Sequence, residues 1–223
     1  MRGILFDFGG TLNTDGDHWG AIFRQHLSRH FPDRDVSELE QAYIESERAL
    51  VRTGLREETF EETLHRQVGA QFAYLDGDAQ VAANLAQNLY GGVCKRMDDV
   101  REFLRDLSAR YRVGIVSNFY GNLDAVCQEF DITPYLHVII DSALVGVRKP
   151  DPGIWQMGIE QLQFPAEEIA VVGDSWKNDI GPTRPLGCRT IWYRGLEWRS
   201  ASGGEEADYE VHSLEELRTI LLP

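Results

Sequence analysis

The stretch Ile4-Leu5-Phe6-Asp7-Phe8-Gly9-Gly10-Thr11 sets a short apolar run against a carboxylate and a pair of glycines. A buried strand that ends in an acid puts that acid beyond the carboxyl end of a sheet, where α/β proteins bind ligands. The glycines let the backbone turn sharply and come close to a bound group. The segment predicts a nucleophilic or metal-binding Asp7 above a phosphate cradle. Gly9 brings no side chain that can donate or accept a proton there.

Working outward, strand and helix patterns alternate from about residue 97 onward. Met97–Ala109 carries Val100, Phe103, Leu104 and Leu107 at helical spacing. Arg112–Val116 reads as a buried strand ending at Ser117-Asn118, and Leu123–Phe130 as a helix. His137–Ile140 is a short strand ending at Asp141. Asp151-Pro152 is a helix start, with Asp as cap and Pro at the first helical position. The helix that follows carries Trp155, Ile159 and Leu162. Glu168–Val172 is a further strand ending in Gly173-Asp174, Arg189–Tyr193 another, and Glu210-Val211 with a helix over Ser213–Leu222 closes the pattern. Such alternation predicts a Rossmann-like α/β core with a parallel sheet covered on both faces.

Residues 15–95 differ, showing helical patterns and no convincing strand. Asp35 with Glu38 reads as a capping box for a helix carrying Val36, Leu39, Tyr43 and Leu50. Phe60, Leu64, Val68 and Phe72 mark a second helix, and Val81, Leu85 and Leu89 a third. The layout is that of a helical cap, residues 15–95, inserted into a core made of residues 1–14 and 96–223. Ser200–Glu206 reads as a flexible segment.

Composition narrows the function classes. The chain of 223 residues is 43% hydrophobic and carries a formal net charge of −14. That charge opposes nonspecific binding to nucleic acid or an anionic membrane surface. No apolar run is long enough to span a bilayer, and no secretory signal pattern opens the chain. A cytoplasmic location is expected. Cys94, Cys127 and Cys188 lack metal-ligand spacing and read as reduced thiols packed as small hydrophobes.

Four segments end or follow core strands and should converge on one sheet edge: Asp7–Thr11, Ser117-Asn118, Lys149-Pro150 and Gly173-Asp174-Ser175-Trp176-Lys177-Asn178-Asp179. Each is weak alone, and in this order they are strong together. Here the chain resembles the haloacid dehalogenase-like (HAD) superfamily over nearly its whole length. The insert is similar to that superfamily's C1 helical cap. Val147-Arg148-Lys149-Pro150-Asp151-Pro152 and Gly-Asp-Ser-x-x-Asn-Asp resemble its phosphatase-like members.

The resemblance implies a Mg²⁺-dependent phosphohydrolase acting on a small phosphorylated metabolite. Asp7, Asp174 and Asp179 would crowd three carboxylates together, which raises pKa values unless a cation is present. Oxygen ligands suit Mg²⁺. The implied metal set is Asp7, the Gly9 carbonyl, Asp174 and Asp179. Asp7 would attack phosphorus in line and form an aspartyl-phosphate. Lys149 and the metal would neutralise charge. The backbone at Gly10 and Thr11, with the Ser117 hydroxyl, would hold phosphoryl oxygens, and Asn118 would support that loop or the substrate.

Gly9 departs from the superfamily pattern, in which a second Asp protonates the leaving oxygen and later activates water. Such acid–base catalysis is typically worth about 10²–10⁴-fold. A slow phosphatase, one suited to good leaving groups, or one with a substitute base is expected. His18 is the one histidine close in sequence to the first motif; a polar hinge residue is the blander reading. His26 and His30 lie one helical turn apart and read as an exposed face rather than a metal site. Trp19, Phe23 and Tyr43 line the cap pocket or its core. Pro182 and Pro185 should leave the helix after Asp179 short or bent.

Other readings remain open. A dehalogenase would not need the metal carboxylates. A phosphonatase would use a cap lysine, and no lysine occurs between Asp7 and Lys95. A catalytically impaired metal- and phosphate-binding protein is the third. The substrate and the oligomeric state are not encoded in any motif.

Overall fold

The computed structural model describes residues 1–198 and 206–222. Of the stretch Ser200–Glu206, read above as flexible, all but Glu206 lies outside the described residues. The chain runs β1 (Gly3–Phe6), α1 (Trp19–His30), α2 (Val36–Thr53), α3 (Phe60–Tyr74), α4 (Ala79–Ser108), β2 (Arg112–Ser117), α5 (Leu123–Glu129), β3 (Val138–Asp141), α6 (Ser142–Val145), α7 (Pro152–Leu162), β4 (Ile169–Gly173), α8 (Gly181–Thr183), β5 (Arg189–Tyr193), β6 (Tyr209–Val211) and α9 (Leu214–Leu221). The six strands form one sheet in the order β3-β2-β1-β4-β5-β6, and every pair is parallel. Strand ends agree with the sequence reading to within one residue.

Parallel pairing explains the near-continuous apolar strands, because both faces are covered. Ile4, Leu5 and Phe6 are all fully buried. On one face Phe6 meets Phe103 of α4 edge-on, with centroids 6.1 Å apart. On the other, α7 lays Trp155 and Ile159 into a cluster with Leu5, Val116 and Val171. Gly158 permits this approach, since a Cβ there would lie 2.9 Å from Leu5 Cδ1 and 3.0 Å from Val116 Cγ2.

The central strand β1 is flanked by β2 and β4, with Phe6 level with Ile115 and Val172. The chain moves from β1 to β3 in one direction and then crosses to β4 on the far side. The reversal opens a crevice at the carboxyl ends of the central strands, the usual ligand position in such sheets. That geometry, set by register alone, delivers the loops after β1, β2 and β4 to one place.

Helices α1 to α3 and the first half of α4 pack against one another, with α2 between α1 and α3 and α3 against α4. Two capping boxes start helices here. Glu38 accepts from the Asp35 amide at 3.4 Å, as the sequence indicated. Glu62 accepts from the Thr59 amide at 2.9 Å while Thr59 Oγ1 accepts from the Glu62 amide at 3.2 Å. The apolar faces read separately at Val81–Leu89 and Val100–Leu107 belong to one helix of 30 residues, α4. Gly91 and Gly92 do not break it, because each costs only about 1 kcal/mol relative to alanine and both flanks are packed. The boundary expected near residue 95 therefore falls inside a continuous helix.

The loop after β2 is pinned by Asp141, at the end of β3. Its Oδ2 accepts from the amides of Gly121 at 2.8 Å and Leu123 at 3.2 Å, and Oδ1 from Ala143 at 2.9 Å. Burial pushes the Asp141 pKa up, against the pull of these three donors. Asp141→Ala is expected to destabilise the protein by about 2–4 kcal/mol, since bonds to a charged group are worth about 1.5–3 kcal/mol each and are not additive. Asp141→Asn, which keeps an acceptor, should cost less. Urea midpoints of the two variants check the order; equal midpoints would show that the carboxylate does not hold the loop.

Candidate active site

The turn after β1 begins at Asp7, which is 5% exposed. Phe8–Leu12 forms one wide turn, interrupted at Gly9 and at Gly10, whose φ is +101°. Gly10 has two reasons to be glycine: the left-handed backbone, and a Cβ position 2.7 Å from the Asp174 carboxylate. Gly9 has neither. A Cβ at Gly9 would meet only Trp19 Cδ1, at an ordinary 3.8 Å.

The strand ends bring Asp7, Ser117, Lys149, Asp174 and Asp179 together. Lys149 Nζ donates to Asp7 Oδ1 at 2.6 Å and to Asp179 Oδ1 at 2.8 Å. It also lies 4.4 Å from the centroid of the Trp155 ring. Ser117 Oγ donates to Asp7 Oδ1 at 3.1 Å. Thr11 Oγ1 is 3.2 Å from both Asp7 Oδ2 and Asp174 Oδ1, and its single proton serves one at a time. It accepts from the Asp174 amide at 3.0 Å.

Asp179 is fixed although the helix after it is broken as the prolines predict: a wide turn over Trp176–Ile180 gives way to the single turn α8. Its Oδ2 accepts from the Ser175 amide at 2.9 Å, and its carbonyl accepts from Thr183 Oγ1 at 2.6 Å. Asn118 clamps the backbone of Lys149, accepting from its amide at 2.9 Å and donating to its carbonyl at 3.1 Å. It therefore positions the lysine. The Gly10 amide, expected to face phosphate, donates to Asn13 Oδ1 at 3.0 Å, and the Thr11 hydroxyl bridges the two carboxylates. In this arrangement the Gly10 amide is spent on a protein partner, while the Thr11 contacts are made by its hydroxyl and not by the backbone expected to meet phosphate.

Electrostatics follow from burial. Desolvation, with the charges of Asp179 and Asp7, pushes the Asp174 pKa well above the carboxylate range. Burial raises Asp179 to about 6 despite the attraction of Lys149. Burial alone would lower the Lys149 pKa, but Asp179 and Asp7 outweigh it and hold the ammonium charged. Fully ionised, three carboxylates and one ammonium would carry a formal charge of −2, and the raised pKa values of Asp174 and Asp179 show how strongly the cluster resists that charge without a cation. One oxygen of each of Asp7, Asp174 and Asp179 lies within 4.8 Å of the others. Asp174 Oδ2 is buried without a hydrogen-bond partner. An all-oxygen set, an orphaned carboxylate oxygen and a charge of −2 when fully ionised fit a hard divalent cation. Among the described residues no other such cluster occurs. His26 and His30 accordingly remain outside any metal set.

A cavity of about 170 Å³ opens over the cluster, between the sheet edge and α1–α3. Asp7, Gly9, Lys149 and Asp174 line it from the core, and His18, Trp19, Tyr43 and Glu47 from the helices. Phe23 is fully buried and belongs to the hydrophobic core instead. His18 is the N-cap of α1, its Nδ1 accepting from the Gly20 amide at 3.0 Å. With that lone pair engaged, the neutral ring carries its proton on Nε2 and has no free acceptor. Burial also lowers its pKa to about 4. His18 is a helix cap, not a replacement base.

Several lining residues were not singled out from sequence: Glu47, Thr63, Gln67 and Tyr120, with Arg148 quoted only as part of the motif around Lys149. A signal existed. Thr63, Gln67 and Gln71 run at helical spacing along α3 beside its apolar stripe, and Ser46 and Glu47 interrupt the buried face of α2. Polar residues on a buried stripe need partners or a cavity.

Residues 1–185 match the haloacid dehalogenase-like hydrolase family. A zebrafish (Danio rerio) relative, haloacid dehalogenase-like hydrolase domain-containing protein 3, is 27% identical over 146 residues, 63% of this chain and 60% of its own. Glyceraldehyde 3-phosphate phosphatase of Methanocaldococcus jannaschii is 31% identical over 90 residues, 40% of each chain. The chain thus spans less than two thirds of the length of these relatives. Among solved structures, L-2-haloacid dehalogenase from Xanthobacter autotrophicus superposes with a TM-score of 0.60 at 18% identity, covering 99% of this chain and 98% of that one. At that identity the likeness shows a shared fold. Fold, motif order and the match across residues 1–185 place this chain in the haloacid dehalogenase-like hydrolase family.

Proposed function

We propose that the protein is a Mg²⁺-dependent phosphohydrolase that cleaves small phosphomonoesters through an aspartyl-phosphate on Asp7, with residues 15–95 as its cap. One observation carries the reading. Asp7 stands at the carboxyl end of the central strand with Oδ1 held by Lys149 and Ser117, beside an Asp174 whose Oδ2 has no protein partner. Phosphatase relatives such as the archaeal one support the substrate class. The dehalogenase fold neighbours do not displace it, since carbon–halogen cleavage gives no use to the orphaned Asp174 oxygen.

Asp7, Asp174 and Asp179, with the Gly9 carbonyl, would hold the cation. When bound, the ion would neutralise phosphoryl charge and draw the substrate oxygen toward the nucleophile. Lys149 fixes the attacking carboxylate and offsets charge on the transferring group. Ser117 orients Asp7 from the β2 end. The P–O bond to the alcohol breaks as the Asp7–phosphorus bond forms, and water later cleaves the acyl phosphate. Neither proton transfer has a side chain at position 9 to serve it, and His18 offers no free acceptor. Turnover should therefore be slow and should favour good leaving groups.

Mg²⁺ is expected to raise the Tm of the wild type, and Asp174→Asn to remove most of that shift; an equal shift in the variant would place the ion elsewhere. Hydrolysis of p-nitrophenyl phosphate should disappear with EDTA and in Asp7→Asn, and persistence in EDTA would overturn metal dependence. Gly9→Asp, for which there is room, should raise kcat on a poor leaving group by roughly 10-fold or more. A fall would show that substrate fills the space beside Gly9. The low His18 pKa has a separate consequence. Between pH 6.5 and about 4 the unfolded chain binds a proton at His18 that the folded one does not, so stability falls as pH drops through that window. His18→Asn, which keeps a cap, should flatten the dependence of Tm on pH there; an unchanged slope would show that the imidazole is not buried neutral.

A further inference from the structure

Glu47, on α2, lines the same cavity as Asp7. Its Oε1 accepts from both Tyr120 Oη, on the loop after β2, and Gln67 Nε2, on α3. Both donors converge on one oxygen. Among the described residues no protein donor reaches Oε2, and Oε2 is not among the buried polar atoms that lack partners. It is therefore accessible from the space that Glu47 borders. Glu47 and Arg148 also line an open groove outside the cavity, so the two form the shared border, or mouth, of the two spaces. A leaving group reaching from a phosphorus above Asp7 along this border would pass Glu47.

The carboxylate is held rigidly but only half used. Tyr120 and Gln67 remove its rotational freedom, so a ligand group meeting Oε2 loses little further entropy in pairing with it. A carboxylate only accepts, so its partner must be a donor, and a cationic donor makes the stronger bond. Burial raises the Glu47 pKa in spite of Tyr120, Arg148 and Gln67, and among the described residues Arg148 makes no ion pair or hydrogen bond with it. Arg148 borders the same spaces without pairing with Glu47, so the free face of the carboxylate remains open to a donor on the ligand.

We propose that Glu47 is the specificity residue of the cavity and selects phosphomonoesters whose small alcohol carries an ammonium group, while disfavouring those that carry a second anion. This rests on the phosphohydrolase reading for the chemistry but not for the binding. Binding is therefore the measurement, with non-hydrolysable probes of similar size: 2-aminoethylphosphonate, propylphosphonate and 3-phosphonopropionate, titrated calorimetrically into the Mg²⁺-supplemented protein. The wild type should bind the amine about tenfold or more tighter than propylphosphonate, and the carboxylate most weakly. In Glu47→Gln the ratio of amine to propyl affinity should fall to near one. Because the ratio is taken within each protein, a general loss of stability cancels; if Glu47→Gln fails to fold, Glu47→Asp, which withdraws the carboxylate, gives the same reading.

A wild type indifferent to the amine, or a preference that survives in Glu47→Gln, overturns the proposal and leaves Glu47 a bridge between α2, α3 and the core. Tighter binding of 3-phosphonopropionate would assign the mouth to Arg148 and overturn it also. Amine selectivity without hydrolysis of any phosphomonoester would instead overturn the phosphohydrolase reading and leave this one standing.

Discussion

Lys149 Nζ lies 2.6 Å from Asp7 Oδ1 and 2.8 Å from Asp179 Oδ1, in a site where all three residues are at most 5% exposed. Without the ammonium, three buried carboxylates would repel one another in a medium that screens poorly, and most would have to take up protons. With it, Asp7 is held with an oxygen directed at one point above the sheet. The supporting contacts serve the same pair. Asn118 clamps the Lys149 backbone, Trp155 faces its ammonium, and the Ser175 amide and Thr183 hydroxyl hold Asp179. One ammonium does not balance three carboxyl groups, and burial with mutual repulsion still pushes Asp174 and Asp179 up.

The sheet makes this contact available. Asp7 follows the central strand, Ser117 ends its neighbour on one side, and Asp174 follows its neighbour on the other. In-register parallel pairing brings all three to one edge at similar height. Lys149 and Asp179 come from loops beyond β3 and β4 and need further anchoring. This division explains why breaks at Pro182 and Pro185 are tolerated: Asp179 is placed by hydrogen bonds at its own turn, not by a long helix behind it.

The neighbouring glycines differ in kind. Gly10 is demanded by a left-handed backbone and by the Asp174 carboxylate beside it. Gly9 is demanded by nothing in the backbone or its surroundings, so its lack of a side chain bears on chemistry and not on folding. The helical side of the cavity shows the reverse economy. Glu47, Gln67 and Tyr120 set polar groups beside buried apolar faces, where one Glu47 oxygen accepts from the other two.

Much of this could be read from the chain. Continuous apolar runs ending in Asp7, Ser117 and Gly173-Asp174 encode a parallel sheet and its functional edge, because burial on both faces leaves no other pattern. The Asp-Pro helix start and the Asp35–Glu38 capping box are local and legible for the same reason. The single helix α4 was not, since two glycines at residues 91 and 92 weaken a helix locally and only packing on either side decides that it continues. His18 was ambiguous in sequence; the Gly20 amide and the surrounding burial make it a neutral cap. Glu47 and Arg148 border the same cavity only through the tertiary fold, and no spacing in the sequence records that. What the sequence determined by itself was the set of groups that strand order carries to one edge. What the tertiary structure alone decided was which of their hydrogen-bonding atoms are spent on the protein and which, such as Asp174 Oδ2 and Glu47 Oε2, have no protein donor, because that depends on distances between segments far apart in the chain.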